Sequence, residues 1–233
     1  PGSHCPKCDA PVRWFDNIPV LSWLVLRAKC RFCAEPISIQ YPLVELATGV
    51  MWAGVFAAHG PTLEALRGAV FLTMLFGISV SDARFYIIPD QFSVGGAVIG
   101  VGMSFFPGGI EWRASLIGAA TGYGVLWLVG AGGTWLIKKM SPGRLEEAGV
   151  DQAMGGGDIK MMMMVGSFVG AWGVGLTIFL GSVLALVVFG PIASLSKRLI
   201  PLGVFLAAAA AIAYGWGPQM VSWYLTQVVG LPA

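Results

Sequence analysis

From Met161 to Ser196 the chain runs 36 residues without a charged side chain. As one straight helix this stretch would be about 54 Å long, against an apolar bilayer core of about 30 Å. One crossing is too short to hide it. The run is therefore expected to enter a membrane, fold back near Gly170-Ala171-Trp172-Gly173, and cross again. The rest of the chain agrees: 56% of its 233 residues are hydrophobic and 11% charged, where a soluble domain carries about 25% charged residues. A water-soluble enzyme is excluded, and a net charge of +2 leaves no electrostatic footprint for nucleic acid.

Segments 43–59, 63–81, 92–107 and 112–137 each read as one further crossing. Breaks at Gly60-Pro61, Asp82 to Asp90, and Pro107-Gly108-Gly109 separate them. A polar loop covers 138–158, and a last crossing runs from Pro201 to about Gly217. The expected fold class is all-α: a polytopic transmembrane helix bundle over 42–233 with about seven crossings, behind a small polar module at 1–41. With that module cytoplasmic, alternating crossings put twelve of the fourteen Lys and Arg inside, Arg144, Lys197 and Arg198 among them. Only Arg67 and Arg113 fall outside, the asymmetry that the positive-inside rule requires.

All four cysteines lie in the module, as Cys5-Pro6-Lys7-Cys8 and Cys30-Arg31-Phe32-Cys33, 21 residues apart. Two C-x-x-C knuckles at this separation suit a structural zinc ion held by four thiolates. Two disulfides or free thiols are the alternative, and disulfides need an oxidising compartment. So short a segment has little core of its own and gains most from a metal staple.

Four carboxylates stand near crossing ends: Glu45, Asp82, Asp90 and Asp158. Intramembrane and membrane-edge acids are expensive and are functional candidates by default. Asp158 closes the run Gly155-Gly156-Gly157-Asp158; an N-cap needs no such run, but a backbone approached closely by another chain does. Asp82 alone reads as a salt-bridge partner of Arg84. Two aspartates from different helices on one membrane face read otherwise, because repulsion makes a close pair share one proton near neutral pH. One can then activate water while the other polarises a peptide carbonyl. Asp90 reads as the N-cap of the crossing that begins at Phe92. Glu45, in the first turn of its helix, is open between structure and substrate binding, and Lys160 between an interfacial cation and a contact to an acidic substrate or lipid headgroup. His4 and His59 are the only histidines and fall on opposite faces, so a Ser-His-Asp triad or Cys-His pair lacks its parts. Met161–Met164 read as apolar packing.

The combination resembles the type IV prepilin peptidases, membrane aspartic proteases of the G-x-G-D class. The resemblance is carried by Ser3-His4-Cys5-Pro6-Lys7-Cys8, Asp16-Asn17-Ile18-Pro19-Val20-Leu21-Ser22-Trp23-Leu24, Arg27-Ala28-Lys29-Cys30-Arg31-Phe32-Cys33 and Tyr41-Pro42-Leu43-Val44-Glu45. It continues in Asp82 with Ile88-Pro89-Asp90, in Met154-Gly155-Gly156-Gly157-Asp158-Ile159-Lys160, and in Ile200-Pro201-Leu202-Gly203-Val204-Phe205. It implies catalytic Asp82 and Asp158; Gly155, Gly156, Gly157, Lys160 and Glu45 are the substrate-binding candidates from the residues themselves. It also implies a cysteine-rich cytoplasmic loop, which maps onto residues 5–33, where the thiol spacing assigns zinc to Cys5, Cys8, Cys30 and Cys33. The implied activity is removal of the leader from type IV prepilins or pseudopilins after a glycine, at the cytoplasmic face of the bacterial inner membrane. N-methylation of the new amino terminus with S-adenosylmethionine is implied with it. Family members carry a further helix ahead of the cysteine module, so one is expected before Pro1, and their leucines after the G-x-G-D motif are methionines here. The rival readings are a proton-coupled transporter, which would place its carboxylates near mid-membrane, and a non-enzymatic zinc-binding scaffold.

Overall fold

A computed structural model describes residues 3–141, 143, 146, 149–193 and 201–230. Arg144, Lys197 and Arg198, counted above among the inside charges, lie outside the described residues. Among those residues the elements are helical throughout, without a strand. The chain divides into two compact units, Pro1–Gly60 and Pro61–Ala233.

The first unit holds a 3-10 turn at Trp14–Asn17, a short helix α1 at Leu21–Val25, and α2 at Gln40–His59. Its two cysteine knuckles repeat one backbone pattern at a 25-residue interval. Cys5 N–H donates to the Ala10 carbonyl at 2.9 Å and Asp9 N–H to that of Cys5 at 2.9 Å; Cys30 N–H donates to Glu35 at 2.8 Å and Ala34 N–H to Cys30 at 3.0 Å. Val12 N–H reaches the Ser3 carbonyl at 2.8 Å, as Ile37 N–H reaches that of Ala28 at 2.7 Å. Both loops turn through a left-handed residue, Asp9 (φ 55°) and Ala34 (φ 56°). Between the knuckles, Arg31 Nε donates to Asp16 Oδ2 at 2.8 Å, and the guanidinium lies 5.4 Å from the Phe15 ring centroid. This bond holds the Asp16 carboxyl below its usual range.

The second unit is a helical bundle. Its helices are α3 (Leu63–Phe85), α4 (Asp90–Met103), α5 (Trp112–Met140), α6 (Gly156–Ala193) and α7 (Leu202–Tyr224). Thr62 caps α3 by accepting from Ala65 N–H at 3.1 Å. The long α6 breaks at Gly170, whose φ of 73° and ψ of 179° no helix contains. Only glycine takes that conformation without strain. The chain reverses there. Before the break, Gly166 and Met162 meet Gly118 and Gly122 of α5; after it, Gly181 and Leu176 meet Leu206 and Gly217 of α7. The expected fold-back thus falls where chain length demanded it.

Among the described residues five helices are long and apolar enough to cross a membrane: α2, α3, α5, α6 and α7 with its extension to Val229. The expected seven crossings are reached only by counting both halves of α6 and the 14-residue α4. The α4 helix and the first half of α6 are each about 21 Å long, short of the bilayer core. They run side by side, Gly96 against Met164 and Gly100 against Phe168. Met161, Met162, Met164 and Val165 are 0% exposed, so the methionine run packs against helices, and a half-helix enclosed by protein need not reach both interfaces. A Cβ at Gly118 would overlap the Gly166 carbonyl oxygen, and one at Gly122 that of Met162. This small-residue seam brings the two backbones together. Ser115 Oγ closes it by donating to the buried Ser167 carbonyl at 2.7 Å.

Candidate active site

Asp82 and Asp158 arrive at one end of the bundle from different helices. Asp82 is 6% exposed, three residues before the end of α3. Its Oδ2 accepts from the backbone N–H of Val204 at 3.2 Å, in the first turn of α7. Val204 N–H also donates to the Pro201 carbonyl at 3.3 Å, so the bond to Asp82 is one arm of a shared hydrogen bond, and the positive end of the helix dipole faces the carboxylate. The loop after α3 is set by Tyr86, left-handed at φ 53° with its N–H on the Asp82 carbonyl, and by Ser81 Oγ donating to the Ile87 carbonyl at 2.7 Å.

Asp158 is the third residue of α6 rather than its cap, because the helix already begins at Gly156. The Asp158 carboxylate lies within range of the charge of Asp82. Ile88 joins their supports: its side chain lies 3.0 Å from a Cβ placed at Gly157 and 3.0 Å from one placed at Gly203. Neither position has room for a side chain. Of the glycine run expected to meet another chain, Gly157 is thus covered by the protein's own Ile88. A Cβ at Gly155 would stand 3.1 Å from Asp158 Oδ2, and one at Gly156 would open onto free space.

Lys160 Nζ donates to both carboxylate oxygens of Asp90, at 2.8 and 3.0 Å. Asp90 is not the cap of α4. Pro89 occupies that place and Asp90 is the first helical residue, free to reach across to α6. This half-exposed pair contributes about 0–1 kcal/mol and ties the loop carrying Ile88 to the helix carrying Asp158. Beside this end of the bundle is a cavity of about 550 Å³, lined by Trp127, Thr134, Trp135, Lys138, Asp151 and Ile159 among others.

In the first unit, Glu45 Oε2 accepts from Val20 N–H at 2.7 Å, at a residue held in a positive-φ conformation. Its carboxylate is engaged in joining α2 to the chain entering α1. The four cysteine sulfurs lie within 4.8 Å of one another, and Cys5 Sγ and Cys33 Sγ are 3.8 Å apart. All four are free thiols, so the disulfide alternative does not hold, and the cluster could hold a metal ion. N–H groups of Cys33 and Phe32 aimed at the Cys30 sulfur lower its pKa to about 7, while desolvation and hydrogen bonds with Cys8, Cys30 and Cys5 push the Cys33 thiol up to about 12, so one sulfur of the cluster favours the thiolate and another holds its proton.

Sequence reasoning passed over two contributors, Ile88 and Gly203. Both stood inside motifs quoted above, but only the contact with the aspartates gives them a role.

A polytopic helical membrane protein with two aspartates near helix ends at one end of its bundle, and a four-thiol cluster earlier in the chain, is the class that fold and site define. Residues 69–190 match the family model described as the type IV leader peptidase family, and residues 1–60 the bacterial peptidase A24 N-terminal domain. The chain belongs to the type IV leader peptidase family. It is similar to proteins named prepilin leader peptidase/N-methyltransferase from several bacteria. The relative from Aeromonas hydrophila is 33% identical over 97% of this chain and 75% of that protein. The one from Stutzerimonas stutzeri is 36% identical over 97% and 75%, and that from Neisseria gonorrhoeae 31% over 98% and 77%. No solved structure matches significantly. The transporter reading has no support, since the aspartates stand at helix ends.

Proposed function

We propose that the protein is a membrane aspartic endopeptidase that removes the leader from type IV prepilins or pseudopilins after a glycine, and then N-methylates the new terminus. The observation that carries this is the approach of Asp82 and Asp158 from separate helices at one end of the bundle. The pair shares one proton. The ionised carboxylate takes a proton from water as the water oxygen attacks the glycyl carbonyl, whose oxygen is polarised by the protonated partner. Collapse of the tetrahedral intermediate breaks the C–N bond, and a proton from the pair goes to the departing amine. Gly156 leaves space for an extended backbone, Lys160 serves as a positioning residue through Asp90, and Glu45 holds Val20 within the first unit.

Sulfurs at the corners of a zinc tetrahedron with 2.3 Å bonds are separated by about 3.8 Å, which the Cys5–Cys33 distance matches. Zinc on Cys5, Cys8, Cys30 and Cys33 would fix the two knuckles. For S-adenosylmethionine, which would supply an electrophilic methyl group, the 550 Å³ cavity offers suitable partners. Indole faces of Trp127 and Trp135 suit a sulfonium or adenine; Asp151 and Lys138 suit the ammonium and carboxylate of its amino-acid end. The positive-inside asymmetry supports a cytoplasmic position for the aspartates, and the family supports the bacterial inner membrane as the setting.

The test is mass spectrometry of a purified prepilin incubated with the solubilised protein, alongside Asp82→Asn and Asp158→Asn. Leader loss with the parent protein and with neither variant is expected. Cleavage that survives both substitutions would overturn the mechanism.

A further inference from the structure

Fifteen residues before Asp82 on α3, about 22 Å along the helix, lies a second unusual charge. Arg67 is 3% exposed. Its Nε, Nη1 and Nη2 are all buried, and none has a hydrogen-bond partner among the described residues. The guanidinium lies 5.7 Å from the centroid of the Phe168 ring, itself stacked on Phe71 at 4.5 Å. Tyr214, 5.2 Å from Phe71, completes the aromatic bed. The loop after α4 is shaped to admit the guanidinium, since a Cβ at Gly109 would overlap Arg67 Nη1.

A buried cation without a counter-charge costs several kcal/mol, and an aromatic face returns only about 2 kcal/mol or slightly more. The fork geometry of a guanidinium is matched by the paired oxygens of a phosphate or carboxylate. Arg67 also lines a cavity of about 200 Å³, whose other walls are Leu63, Leu66, Met103, Phe106, Pro107 and Gly108. One buried fork among apolar walls suits an anion joined to apolar chains.

We propose that Arg67 and this cavity form a binding site for a phosphate oxyanion, at the end of the bundle opposite Asp82 and Asp158. The phosphodiester of a phospholipid fits best, its phosphate on the guanidinium and its chains along Leu63, Leu66 and Phe106. Free inorganic phosphate carries the same chemistry. Two carboxylates lie near it along the chain: Glu64, exposed and three residues before Arg67 on α3, and Glu111, two residues after Gly109 and 3.9 Å from Arg113; among the described residues neither hydrogen-bonds to the Arg67 guanidinium.

The test is thermal unfolding of the delipidated chain in detergent, titrated with short-chain phosphatidylglycerol, with inorganic phosphate, or with sodium chloride at matched ionic strength. Phosphatidylglycerol is expected to raise the Tm by about 3 °C or more at saturation, sodium chloride not at all. An equal rise with inorganic phosphate would identify the free anion as the source. The response should vanish in Arg67→Gln. It should vanish also in Leu63→Trp, which keeps the cation, fills the cavity from an exposed position, and tests the proposal if Arg67→Gln does not fold. No rise with either phosphate, or the same rise in a folded variant, would overturn the site. So would Glu64→Gln lowering the parent Tm as much as Arg67→Gln, because Glu64 would then be the counter-ion.

Discussion

Gly203 lies directly against the Asp82 carboxylate: a Cβ at that position would stand 2.8 Å from Oδ2 and 3.0 Å from the Ile88 side chain. Glycine here lets α7 begin close enough for Val204 N–H to hold Asp82. Gly203→Val is therefore expected to push the carboxylate off its position while leaving the rest of the bundle in place. A displacement of about 1 Å at a reacting group costs roughly 100-fold in rate. Cleavage of a purified prepilin, followed by mass, should show a loss of at least that size in kcat with KM changed little, while overpacking against Ile88 costs about 1–3 kcal/mol of stability. Unchanged kcat would mean that Gly203 serves packing alone.

The knuckle repeat makes a prediction of opposite sign. Ala34 holds a left-handed conformation (φ 56°), which costs a non-glycine residue about 1–2 kcal/mol. Its counterpart Asp9 tolerates the same conformation better, as short polar side chains do. Ala34→Gly should stabilise the metal-bound first unit by about 1 kcal/mol, after allowance for the greater freedom of glycine in the unfolded chain. The measurement is the chelator concentration needed to strip half the zinc. It should rise for Ala34→Gly and fall for Ala34→Val.

These two cases also mark what could be read from the residues alone. The break at Gly170 was legible because 36 uncharged residues exceed any bilayer, and Asp82 and Asp158 because acids at membrane edges are rare. The pattern C-x-x-C-x-x-P recurs in full at Cys5–Pro11 and Cys30–Pro36, so the repeat was there to be found. Ile88 and Gly203 carry no such mark, since their roles exist only in contact with residues of other helices. Asp90 was misplaced as a cap because Pro89 can fill that position and release the side chain to Lys160. Arg67, counted merely as an outside charge, is buried by a loop whose course depends on Gly109.

Asp16 gives a pH dependence. The hydrogen bond from Arg31 holds its carboxyl below the ordinary 3.8, so it binds fewer protons in the folded unit than in the unfolded chain. Its stabilising contribution is complete above about pH 4 and is lost as pH falls through the lowered value. Zinc leaves earlier, on the acid side of neutrality, as thiolates take up protons. At that point Asp16 still contributes fully. Asp16→Asn is expected to shift the zinc-release midpoint to higher pH, followed with a zinc-sensitive dye. Below about pH 4 both chains should be metal-free and equally unfolded.

The cavity between α5 and the chain leading into α6 separates the two proposed activities. Asp151 and Trp127 line it, and neither carries a role in the proposed peptide cleavage. Asp151→Asn removes a negative charge suited to the ammonium of S-adenosylmethionine, and Trp127→Ala removes an aromatic face worth about 0.5–1 kcal/mol to a cation at an exposed site. Both variants are expected to cut a prepilin at the parent rate. Methylation of the cut product should fall, about 3-fold for Trp127→Ala and more for Asp151→Asn, chiefly through a higher KM for the methyl donor. Mass spectrometry reads both events in one sample, leader loss and the added methyl group. Equal loss of both would place these residues in general substrate binding or in folding. Loss of neither would move the methyl donor elsewhere.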